Sequence, residues 1–274
     1  MATRPTPAAA YPVQSLREQC TALEAAIGLV LAKPRKEPVH RVRTSTRRIE
    51  ALLELLSTLK SEVRELAGLS KSVSKVKKLL AAVRKAAGRV RDFDVQRAMI
   101  KNSVGGAGAG GRARGEAKHL RAHLKHLRAE EAEALIAELE GHARKLGPKL
   151  EKLLASLEPA QDMAIAPAHL TFLIRTWYAA RTLDAGTSDE ALHEIRKSAK
   201  LARYMAESAG AVALAAEFEE TQQLGGTWHD TLILSQLASD HLGKKSKVYR
   251  IVREQEKDAL DEFQQHLEAA TPAG

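Results

Sequence analysis

Hydrophobic residues recur along this chain at steps of three and four positions, the spacing of residues on one face of an α-helix. The segment that starts near Pro38 shows the pattern clearly. Its apolar stripe consists of Val39, Val42, Ile49, Leu53 and Leu56. Similar stripes predict further helices over 13–33, 71–90, 116–146, 168–184, 189–209, 211–224, 228–242 and 247–268. No segment alternates between apolar and polar residues as a strand does, so we expect an all-α fold.

Glycine and proline mark the expected ends of these helices. We expect a short connecting segment at 91–101, a flexible Gly/Ala-rich loop at 104–115 and a break at Gly147-Pro148. Proline lacks the amide hydrogen that continues a helix, and its ring crowds the preceding turn. Residues 158–167 are predicted to link two halves of the chain, and residues 1–12 to form a disordered N-terminus.

Two pairs of segments resemble each other. Residues 39–47 align without gaps on residues 192–200, with coinciding histidine, arginine and serine positions. A weaker match follows in the same order, between residues 88–92 and residues 226–230. A repeat in the same order indicates that a helical unit has been duplicated. We therefore expect two helical bundles of about four main helices each, related by an internal pseudo-two-fold axis.

The two predicted halves, 13–158 and 159–274, differ in charge. Through Glu158 the chain has 31 Lys and Arg residues against 17 Asp and Glu residues, and from Pro159 onward it has 12 against 17. The whole chain has a net charge of +9, and a field this uneven attracts polyanions. We expect the first half to dominate the binding of such a ligand.

Composition narrows the class of protein further. Apolar residues make up 44% of the chain but aromatic residues only 4%, which suits packed helices better than a sheet. One cysteine, Cys20, excludes an internal disulfide. No apolar run approaches the ~20 residues that a membrane-spanning helix needs. We expect a soluble, cytoplasmic protein without a membrane-embedded part.

Cationic side chains repeat along helix faces that border the apolar stripes. His40, Arg43 and Arg47 share one face, and the second repeat has the same arrangement. Few acidic residues lie one turn away to neutralise these rows, which favours a ligand over a simple solvated surface. A further row, Lys77, Arg84 and Arg91, recurs at seven-residue steps. The candidate binding residues are His40, Arg43, Arg47, Arg48, Lys75, Lys78, Lys85, Lys118, Arg121, Lys125, Arg128, His193, Arg196, Lys197, Lys200, Arg203 and Arg250.

The paired motifs resemble the conserved-histidine α-helical domain, abbreviated CHAD. They are His40-x-x-Arg43-x-x-x-Arg47-Arg48 and His193-x-x-Arg196-x-x-x-Lys200-x-x-Arg203, supported by Arg91-Asp92 and His229-Asp230. The resemblance covers residues 13–270. It implies two four-helix bundles related by pseudo-symmetry, and the binding of inorganic polyphosphate through basic side chains and the motif histidines. On this interpretation the protein is a non-enzymatic binding module without cofactor or metal. Attachment to polyphosphate granules is one biological purpose that fits.

Nucleic acid is the main alternative ligand, because charge alone does not distinguish two polyanions. Proteins that bind single strands usually place aromatic rings among the cations so that bases stack on them. The basic rows here have only Tyr204 and Tyr249 nearby, which favours a ligand made of phosphate alone. A structural protein that binds a protein partner through its Ala-rich faces is a third interpretation, and the sequence does not identify such a partner.

Two histidine patterns suggest a metal ion, either in a hydrolytic site or in a simple binding site. The dipeptide His229-Asp230 suggests a metal-dependent phosphohydrolase, but such a site needs more histidines. We interpret Asp230, and Asp92 in the first half, as residues at helix starts. His119, His123 and His126 on one helix suggest a metal ion, but the sequence signals no further ligands. We interpret these histidines as residues beside an anion-binding groove.

Overall fold

Eight α-helices build the protein in the computed structural model, which describes residues 9–104, 110–182, 186 and 188–270. The all-α prediction is confirmed, because the described residues contain no strand beyond one isolated bridge between Ala10 and Ile165. No helix in this part of the chain is long and apolar enough to cross a bilayer. The helices are α1 (Pro12–Ala32), α2 (Lys36–Leu59), α3 (Ser70–Val104), α4 (Gly111–Ser156), α5 (Pro167–Thr182), α6 (Asp189–Ser208), α7 (Val212–Leu242) and α8 (Lys247–Ala270).

Helix α3 is longer than the sequence predicts. The segment 91–101, expected to connect two helices, continues α3 through to Val104. Gln96 and Ile100 are buried there, so the segment lies within the packed structure. Burial of one face stabilises helical segments whose own propensity is unremarkable, which is why the periodicity alone missed this extension.

Helix α4 contradicts two boundary predictions. It begins at Gly111, inside the loop expected at 104–115, of which residues 105–109 lie outside the described residues. It also continues through Gly147 and Pro148 to Ser156, where the sequence predicts a break. Leu146, Leu150 and Leu153 are buried on one face across this point. Their packing offsets the hydrogen bond that Pro148 cannot make.

Helix α7 joins two predicted helices, 211–224 and 228–242, into one. Gly225 and Gly226, expected to separate them, are helical. Gly225 is buried in the packing between helices: a Cβ built there would lie 2.8 Å from Phe263 Cζ and 3.0 Å from Arg196 Cγ. A close approach between helices therefore explains glycine at this position better than a helix end does.

The apolar stripe of α2 lies at the centre of the fold. Val39, Val42, Ile49, Leu53 and Leu56 have no exposed surface. They belong to a core cluster that includes residues from α1 to α7. A second cluster joins the end of α3 and the start of α4 to α7 and α8, and a third joins α6, α7 and α8.

Helices from both halves of the sequence pack against one another around the centre of the molecule. Helix α2 packs against α6, where Arg48 forms a 3.0 Å ion pair with Glu207. Helix α3 packs against α7, where Gln96 donates a 3.2 Å hydrogen bond to the carbonyl of Asp230. Because each repeat motif lies on one of these four helices, their packing decides which basic residues meet.

Candidate anion-binding site

A cavity of about 720 Å³ lies between α2, α3, α6 and α7. We call it the central cleft. Most of the charged side chains that line it are cationic, and of the lining residues that the structure describes only Asp92 and Asp230 are acidic. The basic residues of the central cleft are His40, Arg43, Arg47, Arg84, Arg91, Arg196, Lys197, Lys200 and His229.

The two aspartates of the central cleft are both close to Arg91. Arg91 Nη1 lies 3.3 Å from Asp92 Oδ1 and 3.7 Å from Asp230 Oδ1. Both carboxylates sit in the interior of a helix, so the prediction that they mark helix starts is wrong. Their nearest cation is Arg91, but their charge also works against the burial that lowers the pKa of Arg43, and that of Asp230 does the same for Arg196, so they offset part of the repulsion in the cleft.

Several cations of the cleft have carboxylate partners. Arg47 and Arg84 both approach Glu50, at 3.3 Å and 2.9 Å, and Lys197 is paired with Glu194. These pairs hold the side chains in place and reduce the repulsion between them.

The innermost cations are less compensated. Within the described part of the chain, Arg43, Arg196 and Lys200 form no ion pair. Arg43 Nη1 instead donates a 3.1 Å hydrogen bond to the carbonyl of Arg84. Three cations thus face the same cavity without a carboxylate in contact.

The pKa values of these groups report the uncompensated charge. Burial, together with repulsion from Arg47, Arg91 and Arg196, lowers the pKa of Lys200 from 10.5 to about 7. Burial likewise lowers the pKa values of Arg43 and Arg196. A bound anion stabilises the charged form of such a group, because it replaces lost solvation and offsets the repulsion from neighbouring cations.

The histidines of the site are neutral at physiological pH. Burial, followed by repulsion from Arg196, lowers the pKa of His229 to about 4, and the pKa values of His40 and His193 are also lowered, mainly by burial. The rings of His193 and His229 are 4.9 Å apart between centroids. A neutral imidazole can still donate one hydrogen bond to a phosphate oxygen.

A glycine on α3 makes room for Arg43. A Cβ at Gly88 would overlap Arg43 Nη1. On α7 the corresponding contact is made by Gly225, which approaches Arg196, whereas the sequence alignment pairs Gly88 with Gly226. Gly226 has open space around its Cβ position. The glycine that approaches Arg196 therefore lies one residue before the position that the alignment pairs with Gly88.

We expect Gly88→Ala to weaken binding of inorganic triphosphate by about tenfold, because the new methyl group displaces one guanidinium worth about 1.5 kcal/mol to the ligand. The free energy of unfolding should change by less than about 1 kcal/mol, since alanine favours the helix while Arg43 loses its hydrogen bond. Calorimetric titration and urea denaturation measure the two effects.

The matched control for this substitution is Gly141→Ala in α4, whose Cβ meets nothing within 4 Å. It should gain the same helix propensity and leave triphosphate affinity unchanged. An equal loss of affinity in both variants would show that Gly88 does not position Arg43.

The structure brings some of the predicted binding residues together and leaves others apart. Those that line the central cleft are His40, Arg43, Arg47, Arg196, Lys197 and Lys200. His193 is not among the lining residues, but its ring contacts that of His229 and its Nδ1 lies 3.3 Å from Arg196 Nη2.

Two predicted residues lie at the contact between α2 and α6. Arg48 and Arg203 both pair with Glu207, at 3.0 Å and 2.9 Å. Their guanidinium groups also lie near the ring of Tyr204, 5.4 and 5.7 Å from its centroid. In this arrangement Arg48 joins α2 to α6, whereas Arg203 joins α6 to α7 through a 3.1 Å ion pair with Glu219.

The remaining predicted residues lie on other surfaces. Arg128 is held by Asp94 at 3.1 Å and by the carbonyl of Pro34 at 2.9 Å. Seven predicted residues do not line the central cleft, so their role in binding stays a prediction. They are Lys75, Lys78, Lys85, Lys118, Arg121, Lys125 and Arg250.

Three cations of the cleft are absent from the set of predicted binding residues: Arg84, Arg91 and His229. Arg84 and Arg91 belong to the row at seven-residue steps on α3, so a signal for them was present. His229 was noticed as part of a dipeptide but was interpreted as structural. Which of several basic rows on α3 faces the cleft depends on the packing of α3 against α2, and the sequence does not contain that information directly.

The histidines of α4 form a different group from the one predicted. His119 and His123 stack against His241 of α7, with ring centroids 5.2 and 4.0 Å apart, while His126 pairs with Glu130 at 3.3 Å. Within the described ranges, no group of three or more metal-binding side chains is arranged to hold an ion.

Comparisons with known proteins agree with this fold. A family model described as CHAD domain matches residues 14–239. The crystal structure of the CHAD domain from the plant Ricinus communis is similar, with a TM-score of 0.62, 15% identity, and coverage of 98% of this chain and 94% of that one. PptA from Streptomyces chartreusis is also similar, with a TM-score of 0.65, 18% identity, and coverage of 94% and 98%.

Two curated relatives match only a small part of the chain. Both are uncharacterized proteins of Mycobacterium tuberculosis, 36% identical over 88 residues. The match covers 30% of this chain and 17% of the length of each relative.

Proposed function

The chain belongs to the CHAD domain family, and from this premise we propose that it binds inorganic polyphosphate in the central cleft without cleaving it. One observation carries the proposal: partly buried cations from both halves of the sequence face one cavity, and Arg43, Arg196 and Lys200 have no carboxylate in contact within the described residues. A polymer of phosphate supplies the missing negative charge at every unit. The biological setting that we propose is the cytoplasm, at polyphosphate granules.

The chemistry of the lining supports phosphate over nucleic acid as the ligand. Arginine presents a planar fork of donors that matches two phosphate oxygens, and Gln96, Gln222 and Gln223 add neutral amides to the wall. Tyr204 is the one aromatic residue, histidines aside, in the described lining, and it is occupied by the guanidinium groups of Arg48 and Arg203. Proteins that bind single strands stack successive bases on aromatic rings, and the described lining of the cleft offers no free ring of tyrosine, tryptophan or phenylalanine for this.

A binding role is also supported by the position of the two acids. A metal-dependent phosphohydrolase needs carboxylates that are free to bind the ion or to orient a water molecule. Asp92 and Asp230 instead face Arg91. Both halves contribute cations to the cleft, so we further propose that the second half, despite its net negative charge, shares in binding.

Titration with long-chain polyphosphate, triphosphate and single-stranded DNA in a salt series tests the proposal. We expect long-chain polyphosphate to bind tightest, because a polymer makes many contacts at once, and the affinity to fall steeply with added salt. The polymer should remain intact with a divalent metal present. Equal or tighter binding of DNA would move the function to nucleic acid, and shortening of the polymer would establish hydrolysis.

A further inference from the structure

Lys200 differs from the other inner cations of the central cleft in its chemistry. An arginine keeps its proton under all ordinary conditions, whereas a lysine can lose it. The first repeat has Arg47 where the second has Lys200. Lys197, the other lysine of the cleft, is paired with Glu194, but within the described residues Lys200 has no ion pair.

Charged groups surround Lys200 from every helix of the cleft. Helix α2 contributes His40, Arg43 and Arg47; α3 contributes Arg84, Arg91 and Asp92; α6 contributes Arg196 and Lys197; α7 contributes His229 and Asp230. The imidazoles are neutral at physiological pH, and both aspartates are close to Arg91. The field at the Lys200 ammonium is therefore dominated by arginines.

This field makes the protonation of Lys200 depend on whether the cleft is occupied. In the empty cleft the pKa of Lys200 is about 7, because burial and four arginines oppose its charge. A phosphate group within contact distance would reverse both effects and raise the pKa toward its ordinary value of 10.5. At pH values between the two pKa values, such a change requires that protons are taken up from the solvent on binding.

We propose that binding of a polyanion in the central cleft is coupled to the uptake of one proton by Lys200, so that ligand affinity falls as the solution becomes alkaline. This inference rests on the proposed function, since it concerns the same cleft. Below neutral pH the ammonium is already present and no uptake is needed. Above it, each binding event must draw a proton from the solvent, which makes alkaline conditions favour release of the polymer.

Calorimetric titration with long-chain polyphosphate at pH 8.5 tests this coupling. The experiment is run in two buffers with different enthalpies of ionisation, so that the difference in heat counts the protons taken up. We expect uptake of roughly 0.9 proton per bound protein, and a loss of affinity of up to tenfold per pH unit between pH 7.5 and 9. The imidazoles contribute little at this pH because their pKa values are lowered.

Two variants identify the residue responsible. Lys200→Arg keeps the positive charge at every pH, so it should bind the polymer at pH 8.5 with no proton uptake. Lys149 is exposed on α4 and does not line the central cleft. The Lys149→Arg variant should therefore take up the same number of protons on binding as the unmodified protein.

The outcomes separate this inference from the proposed function. Binding without proton uptake, or the same uptake in Lys200→Arg, would overturn the coupling and leave polyphosphate binding intact. Absence of polymer binding under all conditions would overturn the proposed function and the coupling together.

Discussion

Replacement of Arg47, Arg91 and Arg196 together by glutamine should lower the affinity for long-chain polyphosphate by about a thousandfold. Each charge-assisted hydrogen bond to a phosphate contributes about 1.5–3 kcal/mol before ordering costs, so three lost cations account for roughly 4 kcal/mol of binding free energy. The fold should persist, because the loss of the contacts to Glu50, Asp92 and Asp230 is offset by reduced repulsion in a crowded cationic site, and the new side chains stay polar. Titration calorimetry measures the affinity, and circular dichroism checks the helix content.

A second triple variant with the same change in net charge controls for general electrostatics. Lys75, Lys78 and Lys85 are exposed on α3 and do not line the central cleft. Their replacement by glutamine should weaken binding by about tenfold or less, the effect of reduced long-range attraction and of contacts to polymer outside the cleft. If the two triple variants lose affinity equally, the cleft is not the binding site and the ligand is held by overall charge.

Replacement of Lys200 by methionine should stabilise the ligand-free protein while it weakens ligand binding. The pKa of Lys200 is about 7 in the folded protein, against 10.5 for an unhindered lysine. Because the folded-state pKa is the lower one, the charge opposes folding fully below pH 7, and the penalty disappears as the pH rises from 7 to 10.5. The expected gain in the free energy of unfolding at pH 6.5 is about 5 kcal/mol, since the two pKa values differ by about 3.5 and each pKa unit corresponds to about 1.4 kcal/mol.

Urea denaturation of the ligand-free protein at pH 6.5 and pH 9.5 measures this effect. The gain from Lys200→Met should be large at the lower pH and much smaller at the higher one. Lys200→Arg, which stays charged, should show no gain at either pH. A variant that is destabilised at pH 6.5 would mean that the ammonium has favourable partners in the empty cleft, contrary to the structure.

Together these variants describe a site whose cations oppose one another until a ligand arrives. Arg43, Arg196 and Lys200 are partly buried in the fold without contacting carboxylates among the described residues, and this costs stability that a polyanion restores. Long-chain polyphosphate should therefore raise the unfolding temperature of the unmodified protein, and raise it less in the triple variant of the cleft.

The secondary structure was largely predictable because its signal is local. The stripe of Val39, Val42, Ile49, Leu53 and Leu56 identifies the buried face of α2, and all five are fully buried. The errors concern boundaries: Pro148 lies inside α4 and Gly225 inside α7. Proline and glycine indicate helix ends only through the conformational preference of a single residue. At both positions, packing between helices outweighs that preference.

The all-α class was predictable from helical periodicity, and the repeat singled out the cleft cations Arg43, Arg47, Arg196 and Lys200, because both signals are present in the order of residues alone. Which basic rows meet depends on how the helices pack. Their packing placed Arg84 and Arg91 in the cleft and Lys75, Lys78 and Lys85 outside it, although all five lie on α3. It also decided the low pKa of Lys200, which depends on arginines more than a hundred positions away. Electrostatic interactions act through space, so the chemistry of this site depends on distances that are settled only when α2, α3, α6 and α7 pack together.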